Sequence, residues 1–123
     1  MRLLVLEREP SLAALLRRDL PGVVVIEGDA TRIDAHLAER GVDELATVVS
    51  SLPIKWFPTS AQRAIVLECL RRLGPGGRFL QVTNAFGSPI EIDALGIEGR
   101  AARRVWRNLP PAQIWAYTER RAA

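Results

Sequence analysis

The sequence predicts an α/β domain whose sheet is mostly parallel and ends in an antiparallel hairpin. Short apolar runs alternate with helix-length segments over residues 2–83, which is typical of parallel strands joined by right-handed helical crossovers. Residues 84–99 are predicted to form a loop with one helical turn. Two strand-like runs, 101–107 and 112–118, then follow with a proline-containing turn between them, which indicates a hairpin on a mixed sheet. At 123 residues the chain is expected to be a single domain, residues 1–123.

The first half of the chain alternates strand, helix, strand, helix. Residues 2–7 form the first predicted strand. Ser11 is expected to cap a helix over Leu12–Leu20, because serine is a favoured N-cap. Residues 23–27 are continuous and mostly β-branched, as expected of a strand covered on both faces. A second helix is predicted near residues 33–40.

The middle of the chain repeats the pattern once more. Residues 45–50 form a third predicted strand. Thr59 or Ser60 is expected to cap a helix near residues 61–73, and a glycine-rich segment ends that helix. Phe79–Thr83 is the fourth predicted strand.

Polar residues follow the first three predicted strands. Glu7 ends the first, Asp29 follows the second, and Ser50 ends the third. Ligands of parallel α/β sheets bind beyond the carboxyl ends of the strands, so we expect these side chains to converge on one crevice. The glycine-rich turn that normally opens a nucleotide-binding sheet has no counterpart, because the chain starts on what is typical of a second strand.

Five segments follow one another in an order typical of a known family. They are Leu4–Arg8, Val25–Ala30, Val48–Pro53, Leu73–Phe79 and Asn108–Ala112. In this order they resemble class I methyltransferases that use S-adenosylmethionine, and more narrowly the bacterial phospholipid N-methyltransferases, relatives of the rRNA adenine dimethylases. The resemblance implies a Rossmann-like sheet, truncated at its amino end, with S-adenosylmethionine as the cofactor.

The resemblance also implies roles for the residues at the strand ends. Glu7, next to Arg8, would accept hydrogen bonds from the ribose hydroxyls, since a carboxylate is a strong bidentate acceptor. Asp29 would accept from the adenine amino group, with Ala30 supplying a backbone amide. The methyl-transfer site would be lined by Ser50, Ser51, Leu52 and Pro53.

Structural roles are the alternatives for the same residues. Glu7 could serve as an N-terminal acid of the following helix, and Asp29 as a turn or helix-cap aspartate. The segment 50–53 could be an ordinary exit from a strand into a loop. The residues alone leave these alternatives open.

Other conspicuous side chains have simpler interpretations. Trp56 and Phe57 either shape a pocket for an apolar or cationic substrate or cap the core beneath their loop, and we favour the core. His36 is expected to face solvent. Cys69 is expected to be a small core residue. Asn84 stands where the family would place an aromatic residue near the methylated amine. No metal site is predicted.

The carboxyl-terminal part of the chain is basic. Its arginines form either a solvated face or a contact with phospholipid head groups. They are Arg100, Arg103, Arg104, Arg107, Arg120 and Arg121. Trp106 and Trp115 are expected to pack across the hairpin.

The predicted function is that of a methyltransferase-like domain acting on a phospholipid amine such as phosphatidylethanolamine. One alternative is a non-catalytic module that self-associates, because the missing strand would leave the strands at 2–7 and 45–50 with unpaired edges. A small nucleic-acid-binding protein is the least favoured alternative. No apolar run approaches the ~20 residues of a membrane span, so we expect a cytoplasmic protein, peripheral at the inner membrane.

Overall fold

A computed structural model describes residues 2–105 and 112–120 of the chain. Within these residues the chain alternates strands and helices and confirms the predicted α/β class. The elements are β1 (Leu4–Glu7), α1 (Pro10–Asp19), β2 (Val24–Glu27), α2 (Ile33–Glu39), β3 (Leu45–Ser50), α3 (Thr59–Arg72), β4 (Leu73–Thr83), α4 (Ile92–Leu95), β5 (Ile97–Val105) and β6 (Ala112–Glu119). Short 3₁₀ turns cover Ala30–Arg32 and Ile54–Trp56.

The chain divides into two compact units, Met1–Val42 and Asp43–Ala123. In the first unit β1 and β2 form a parallel pair, with Leu4 opposite Val24 and Glu7 opposite Glu27. Its buried apolar side chains are Ala13, Val25, Ile26 and Leu37. That small set shows that the first unit buries little apolar surface.

The start of α1 differs from the sequence prediction. The helix begins at Pro10, and its N-cap is Glu9. The Glu9 carboxylate accepts from the Ser11 backbone N–H at 3.1 Å and from its hydroxyl at 2.8 Å. The prediction of Ser11 as the cap was wrong, because proline fits the first helical position without needing its missing N–H. The side-chain acceptor therefore stands one residue before it.

The second unit is built on a four-stranded sheet in the order β3-β4-β6-β5. β3 and β4 are parallel, whereas β6 is antiparallel to both β4 and β5. Helix α3 packs on this sheet. Their shared core contains Ile65, Val66, Leu70, Phe79 and Tyr117.

Helix α3 begins at Thr59 after Pro58, and no side chain caps it. The predicted cap at Thr59 or Ser60 was therefore wrong, because the Thr59 hydroxyl instead donates to the Glu91 carboxylate. The prediction that glycine ends this helix was wrong: α3 ends at Arg72 with extended Leu73 as its C-cap, because the chain passes directly into β4, and Gly76, at a φ of 77°, lies within that strand.

Strand β4 then starts at Leu73, earlier than the predicted Phe79. The reason is an irregular pairing, in which Leu45 lies opposite Leu73 but Thr47 lies opposite Arg78.

The hairpin is longer than predicted at its start. β5 begins at Ile97, directly after the single helical turn α4 that the sequence predicted in this region. The predicted turn at 108–111 and Trp106 lie outside the described residues. Among the helices that the structure describes, none has the length and apolar character needed to cross a membrane.

Candidate functional site

The first unit brings the carboxyl ends of β1 and β2 side by side. The Gly28 N–H donates to the Glu7 carbonyl at 3.0 Å, which extends the ladder past the last strand residues. Glu7 is half-buried, and its Oε1 accepts from the Glu9 N–H at 3.1 Å. Within the described residues no hydrogen bond reaches the second carboxylate oxygen of Glu7. The side chain thus supports the start of α1 and still offers an acceptor.

Asp29 follows β2 and caps the 3₁₀ turn that contains Ala30. Its Oδ1 accepts from the Thr31 N–H at 2.9 Å, and this bond lowers the pKa of the carboxyl group. The structural alternative for Asp29, a turn cap, is therefore realised. A carboxylate has further lone pairs, so the cofactor role of Asp29 stays a prediction. Arg8 is exposed.

The His36 ring lies against the backbone of Gly28, the residue that follows β2, instead of facing solvent. A Cβ built on Gly28 would come within 2.3 Å of the His36 Nε2, so the ring occupies the space that a side chain would need. That nitrogen is buried and without a hydrogen bond among the described residues. The predicted solvent-facing position was wrong, because the missing Cβ of Gly28 lets the ring pack inward.

In the second unit, a cleft of about 390 Å³ opens at the carboxyl ends of β3 and β4; we call it the β3–β4 cleft. One wall is residues 51–56, and the other is residues 81–85 with Pro89. Its volume lies near the lower end of small-molecule sites, roughly 300–1,000 Å³. Ser51, Leu52 and Pro53, three of the predicted transfer-site residues, line it directly.

Ser50 occupies a different position from its neighbours. It is buried, and its Oγ accepts from the Leu52 N–H at 3.3 Å, so it shapes the turn that leaves β3. Ser51 is exposed, and its hydroxyl has no partner among the described residues. The two serines therefore have different positions: Ser50 supports the wall from inside, and Ser51 presents its hydroxyl at the surface of the wall.

Gln81 fixes the carbonyl of Leu52. It lies on β4 opposite Ser50, and its Nε2 donates to the Leu52 carbonyl at 2.8 Å and to the Val82 carbonyl at 3.0 Å. These two bonds set the amide orientation, because only the nitrogen can donate. The Gln81 Oε1 is left buried without a partner in the described part of the chain.

Gln62 of α3 connects the two walls from beneath. Its Nε2 donates to the Ile54 carbonyl at 3.0 Å and to the Pro89 carbonyl at 3.4 Å. Its Oε1 accepts from the Glu91 N–H at 2.9 Å. With only 1% of its surface exposed, this side chain ties the loop after β3 to the loop after β4.

Two aromatic side chains project from these loops. Trp56, on the first wall, is 79% exposed, so the favoured interpretation of Trp56 as a cap on the core was wrong. The buried anchor of that turn is Ile54, which leaves Trp56 on the outside. Phe86, which follows Ala85 of the second wall, is also 79% exposed. Phe57 is partly buried.

The structure confirms the prediction for Cys69, whereas the ring contact it describes for Trp115 is with a residue of the same strand, β6. Burial raises the pKa of the Cys69 thiol to about 12, which suits a core residue and not a nucleophile. Trp115 packs on Tyr117 with ring centroids 6.2 Å apart.

The arginines of the carboxyl-terminal part face solvent wherever the structure describes them. The exposed arginines are Arg100, Arg103, Arg104 and Arg120. Arg107 and Arg121 lie outside the described residues. Contact of these arginines with phospholipid or nucleic acid stays a prediction.

A second cavity, of about 470 Å³, lies beside β5 and β6 and includes Arg78, Glu98 and Arg100. It holds none of the residues that follow the parallel strands. We assign the candidate site to the smaller β3–β4 cleft, because ligands of parallel sheets bind at the carboxyl ends of the strands.

Sequence reasoning missed Gln62, Gln81 and Phe86. Gln81 carried a signal, since a polar residue inside the apolar run Phe79–Thr83 must find a buried partner. Gln62 carried none, because a glutamine near a helix start is ordinarily exposed. Phe86 stands two residues after Asn84, the position at which an aromatic residue was expected.

Comparisons with known proteins bear on this geometry. No family profile matches the chain. Over 85 residues it is 38% identical to an ornithine lipid N-methyltransferase of Singulisphaera acidiphila, which covers 67% of this chain but only 44% of that protein. The chain therefore spans less than half the length of the curated relative that it matches.

Solved structures also resemble the chain. A TehB-like SAM-dependent methyltransferase from Corynebacterium glutamicum matches 97% of this chain and 68% of its own, with a TM-score of 0.68 and 16% identity. A solved structure from Clostridium thermocellum, described as that of an rRNA-methylase, matches 98% of this chain and 74% of its own chain. The TM-score is 0.64 and the identity is 13%.

The fold is that of the class I S-adenosylmethionine-dependent methyltransferases. The parallel strands, the antiparallel hairpin and the likeness to solved structures all agree on this class. At the level of individual proteins, the chain is similar in sequence to a lipid N-methyltransferase over two thirds of its length.

Proposed function

We propose that this chain is part of an S-adenosylmethionine-dependent methyltransferase that methylates the amine of a membrane lipid. The observation that carries the proposal is the β3–β4 cleft, whose wall is formed by Ser51, Leu52 and Pro53. The 38% identity to an ornithine lipid N-methyltransferase supports an amino lipid as the acceptor. Phosphatidylethanolamine and an ornithine lipid are the two acceptors to compare.

Ser51 is the group best placed to orient the acceptor. Methyl transfer depends mainly on alignment of donor, methyl group and acceptor nitrogen. The nitrogen must direct its lone pair at the methyl group, so its N–H bonds need acceptors elsewhere. The Leu52 carbonyl already accepts from Gln81 and from the Ile54 N–H. Among the described side chains of this wall, residues 51–56, the exposed Ser51 hydroxyl is the one that can accept a hydrogen bond.

The residues of the first unit fit one end of the cofactor. When bound, S-adenosylmethionine supplies an activated methyl group. The half-buried Glu7 carboxylate has an oxygen that no hydrogen bond occupies in the described residues, as an acceptor for ribose hydroxyls requires. Asp29 and the backbone of Ala30 would hold the adenine. These assignments depend on the resemblance.

Lipid methylation tests the proposal directly. The chain is mixed with radiolabelled S-adenosylmethionine and vesicles that contain either phosphatidylethanolamine or an ornithine lipid, and label in the extracted lipid is counted. Ser51→Ala should lower the rate by about ten- to a hundredfold, because the nitrogen gains positive charge as it takes the methyl group and a hydrogen bond to a charged group is worth about that much. Ser60→Ala, an exposed serine of α3, is the matched control. Absence of labelled lipid with either acceptor would reject activity of this chain alone.

Calorimetry separates cofactor binding from turnover. We expect Glu7→Gln to weaken S-adenosylmethionine binding by about tenfold, because a charged acceptor is replaced by a neutral one. Glu27→Gln is the control, since Glu27 lies opposite Glu7 in the register of β1 and β2. Equal affinities in the two variants would contradict the assignment of Glu7.

A self-associating module is the second candidate function. In the described residues β1 pairs only with β2, and at its edge of the larger sheet β3 pairs only with β4. Val49 of β3 is 70% exposed, and an edge strand with exposed apolar residues favours pairing with another chain. Light scattering should then report a dimer that Val49→Lys converts to a monomer. A monomer that binds S-adenosylmethionine would contradict this function.

A further inference from the structure

The two exposed aromatic side chains at the β3–β4 cleft need an explanation. Trp56 and Phe86 are each 79% exposed, and they are the most exposed large apolar side chains that the structure describes. They stand on different loops, one after β3 and one after β4. Single exposed apolar residues are common, but a large aromatic on one wall of a cleft and a second directly after the other wall indicate an interaction surface.

These side chains are held outward by an ordered frame. Ile54, in the same turn as Trp56, is buried, and Gln62 holds its carbonyl. On the second loop, Gln62 holds the Pro89 carbonyl, and Ile90 is buried. Because one buried glutamine anchors both loops, the exposure of the aromatic rings does not come from loosely packed loops.

A cation accompanies the first ring. The Lys55 Nζ lies 5.3 Å from the centroid of the Trp56 ring, and both side chains are exposed. Tryptophan favours the boundary between lipid head groups and acyl chains, because its apolar ring can contact the acyl chains while its N–H stays hydrated. A neighbouring lysine adds attraction to anionic head groups. This combination fits a lipid surface better than the apolar face of another protein.

We infer that Trp56 and Phe86, with Lys55, form a membrane-contacting edge that seats the mouth of the β3–β4 cleft on the surface of a lipid bilayer. The inference rests on the proposed function for its purpose, since an amino lipid could then reach Ser51 without leaving the membrane. It goes further by naming the surface that meets the lipid. The binding itself is measured without turnover.

Vesicle co-sedimentation tests the membrane-contacting edge. The full chain is spun with vesicles of phosphatidylcholine alone or of phosphatidylcholine mixed with phosphatidylglycerol, and the bound fraction is measured. We expect Trp56→Ala and Phe86→Ala each to lower the partition coefficient by about tenfold on both vesicles, because each loses the burial of an aromatic ring. Lys55→Gln should lower it about fivefold, and only on the anionic vesicles.

Leu12→Ala is the matched control, since Leu12 is an exposed apolar residue of α1 outside both loops. Wild-type protein that stays in the supernatant with both vesicles would overturn the inference. Binding that Trp56→Ala and Phe86→Ala leave unchanged would overturn it equally, and would assign attachment to another surface. Vesicle binding that needs the two rings, in a chain that transfers no methyl group, would support the edge and reject the proposed function.

Discussion

The two compact units carry their predicted binding groups on very different frames. In Met1–Val42 a parallel pair of strands supports Glu7 and Asp29. Several large apolar side chains of this unit remain exposed: Leu3, Leu12, Leu15, Leu20 and Val24. In Asp43–Ala123 a four-stranded sheet and α3 bury a continuous core beneath the β3–β4 cleft.

The difference shows that strand-end positions can stand on frames that bury very different amounts of apolar surface. The first unit packs α1 on two strands, whereas the second packs α3 on a sheet of four, and stability grows with the apolar surface that is buried. The groups predicted to bind the cofactor therefore stand on the weaker frame. The wall predicted to orient the acceptor stands on the stronger one.

Removing Gln62 should weaken the second unit most. Gln62→Leu leaves the Pro89 carbonyl and the Glu91 N–H without the partner that Gln62 supplies, and leaves the Ile54 carbonyl with the Phe57 N–H alone. We expect a loss of about 3 kcal/mol in the free energy of unfolding, measured by urea denaturation, because each unsatisfied buried group costs ~1–3 kcal/mol. Gln113→Leu is the control, since buried Gln113 makes one side-chain bond within the described part of the chain, accepting from the Trp115 Nε1–H. Equal losses would show that Gln62 does not hold the loops.

Adding a methyl group at a packed glycine should destabilise the second unit more than the first. A Cβ at Gly99 would lie 2.6 Å from the buried Tyr117 ring, and one at Gly28 would lie 2.3 Å from the His36 ring. Tyr117 is fully buried and bonded to Ser88, so its ring has little room to move. We expect Gly99→Ala to cost about 2–3 kcal/mol, and Gly28→Ala about 1 kcal/mol because the His36 ring can swing aside.

Thermal melts measure both losses. Gly87→Ala and Gly22→Ala are the matched controls in the second and first units, because nothing lies within 4 Å of a Cβ at either position. A smaller loss for Gly99→Ala than for Gly28→Ala would contradict the contrast in rigidity.

Thiol labelling compares how often each unit opens. Val25 of β2 and Val66 of α3 are both buried, so Val25→Cys and Val66→Cys, each with Cys69→Ala, place the same probe in the two units. We expect the thiol at position 25 to react about tenfold faster, equivalent to about 1.4 kcal/mol less free energy of opening. Equal rates would mean that the units open together.

The effect of pH on the stability of the first unit, through Asp29, should be smaller than the losses described above. The pKa of Asp29 is lowered from 3.8 by the Thr31 N–H, so its contribution to stability is present above that value and lost as the pH falls through the lowered pKa. Asp29→Asn should weaken this unit slightly at neutral pH and have no effect in strong acid. Asp19→Asn, an exposed aspartate of α1, makes the same change of charge. Parallel stability curves for wild type and Asp29→Asn would contradict the assigned cap.

Local patterns in the sequence were sufficient for the existence of each strand and for one wall of the cleft, but not for the starts of β4 and β5. β3 was predicted at its observed bounds, because a short apolar run that ends in serines is typical of a strand followed by a loop in an α/β chain. Ser51, Leu52 and Pro53 were predicted for the same reason, since they must follow that strand. That Glu7, Asp29 and Ser50 share one crevice stays a prediction, as do the cofactor roles of Glu7 and Asp29.

The order of elements, the α/β class and the residues that follow each strand could be predicted from the amino-acid pattern, because they depend on neighbours along the chain. Three features became visible only in the folded chain: Gln62 ties two loops together, Gln81 holds the Leu52 carbonyl, and Trp56 faces outward. Each of these depends on partners about 10–30 residues away in sequence or on which residue of a turn is buried. Such pairings arise from packing, which the pattern of a single segment does not encode.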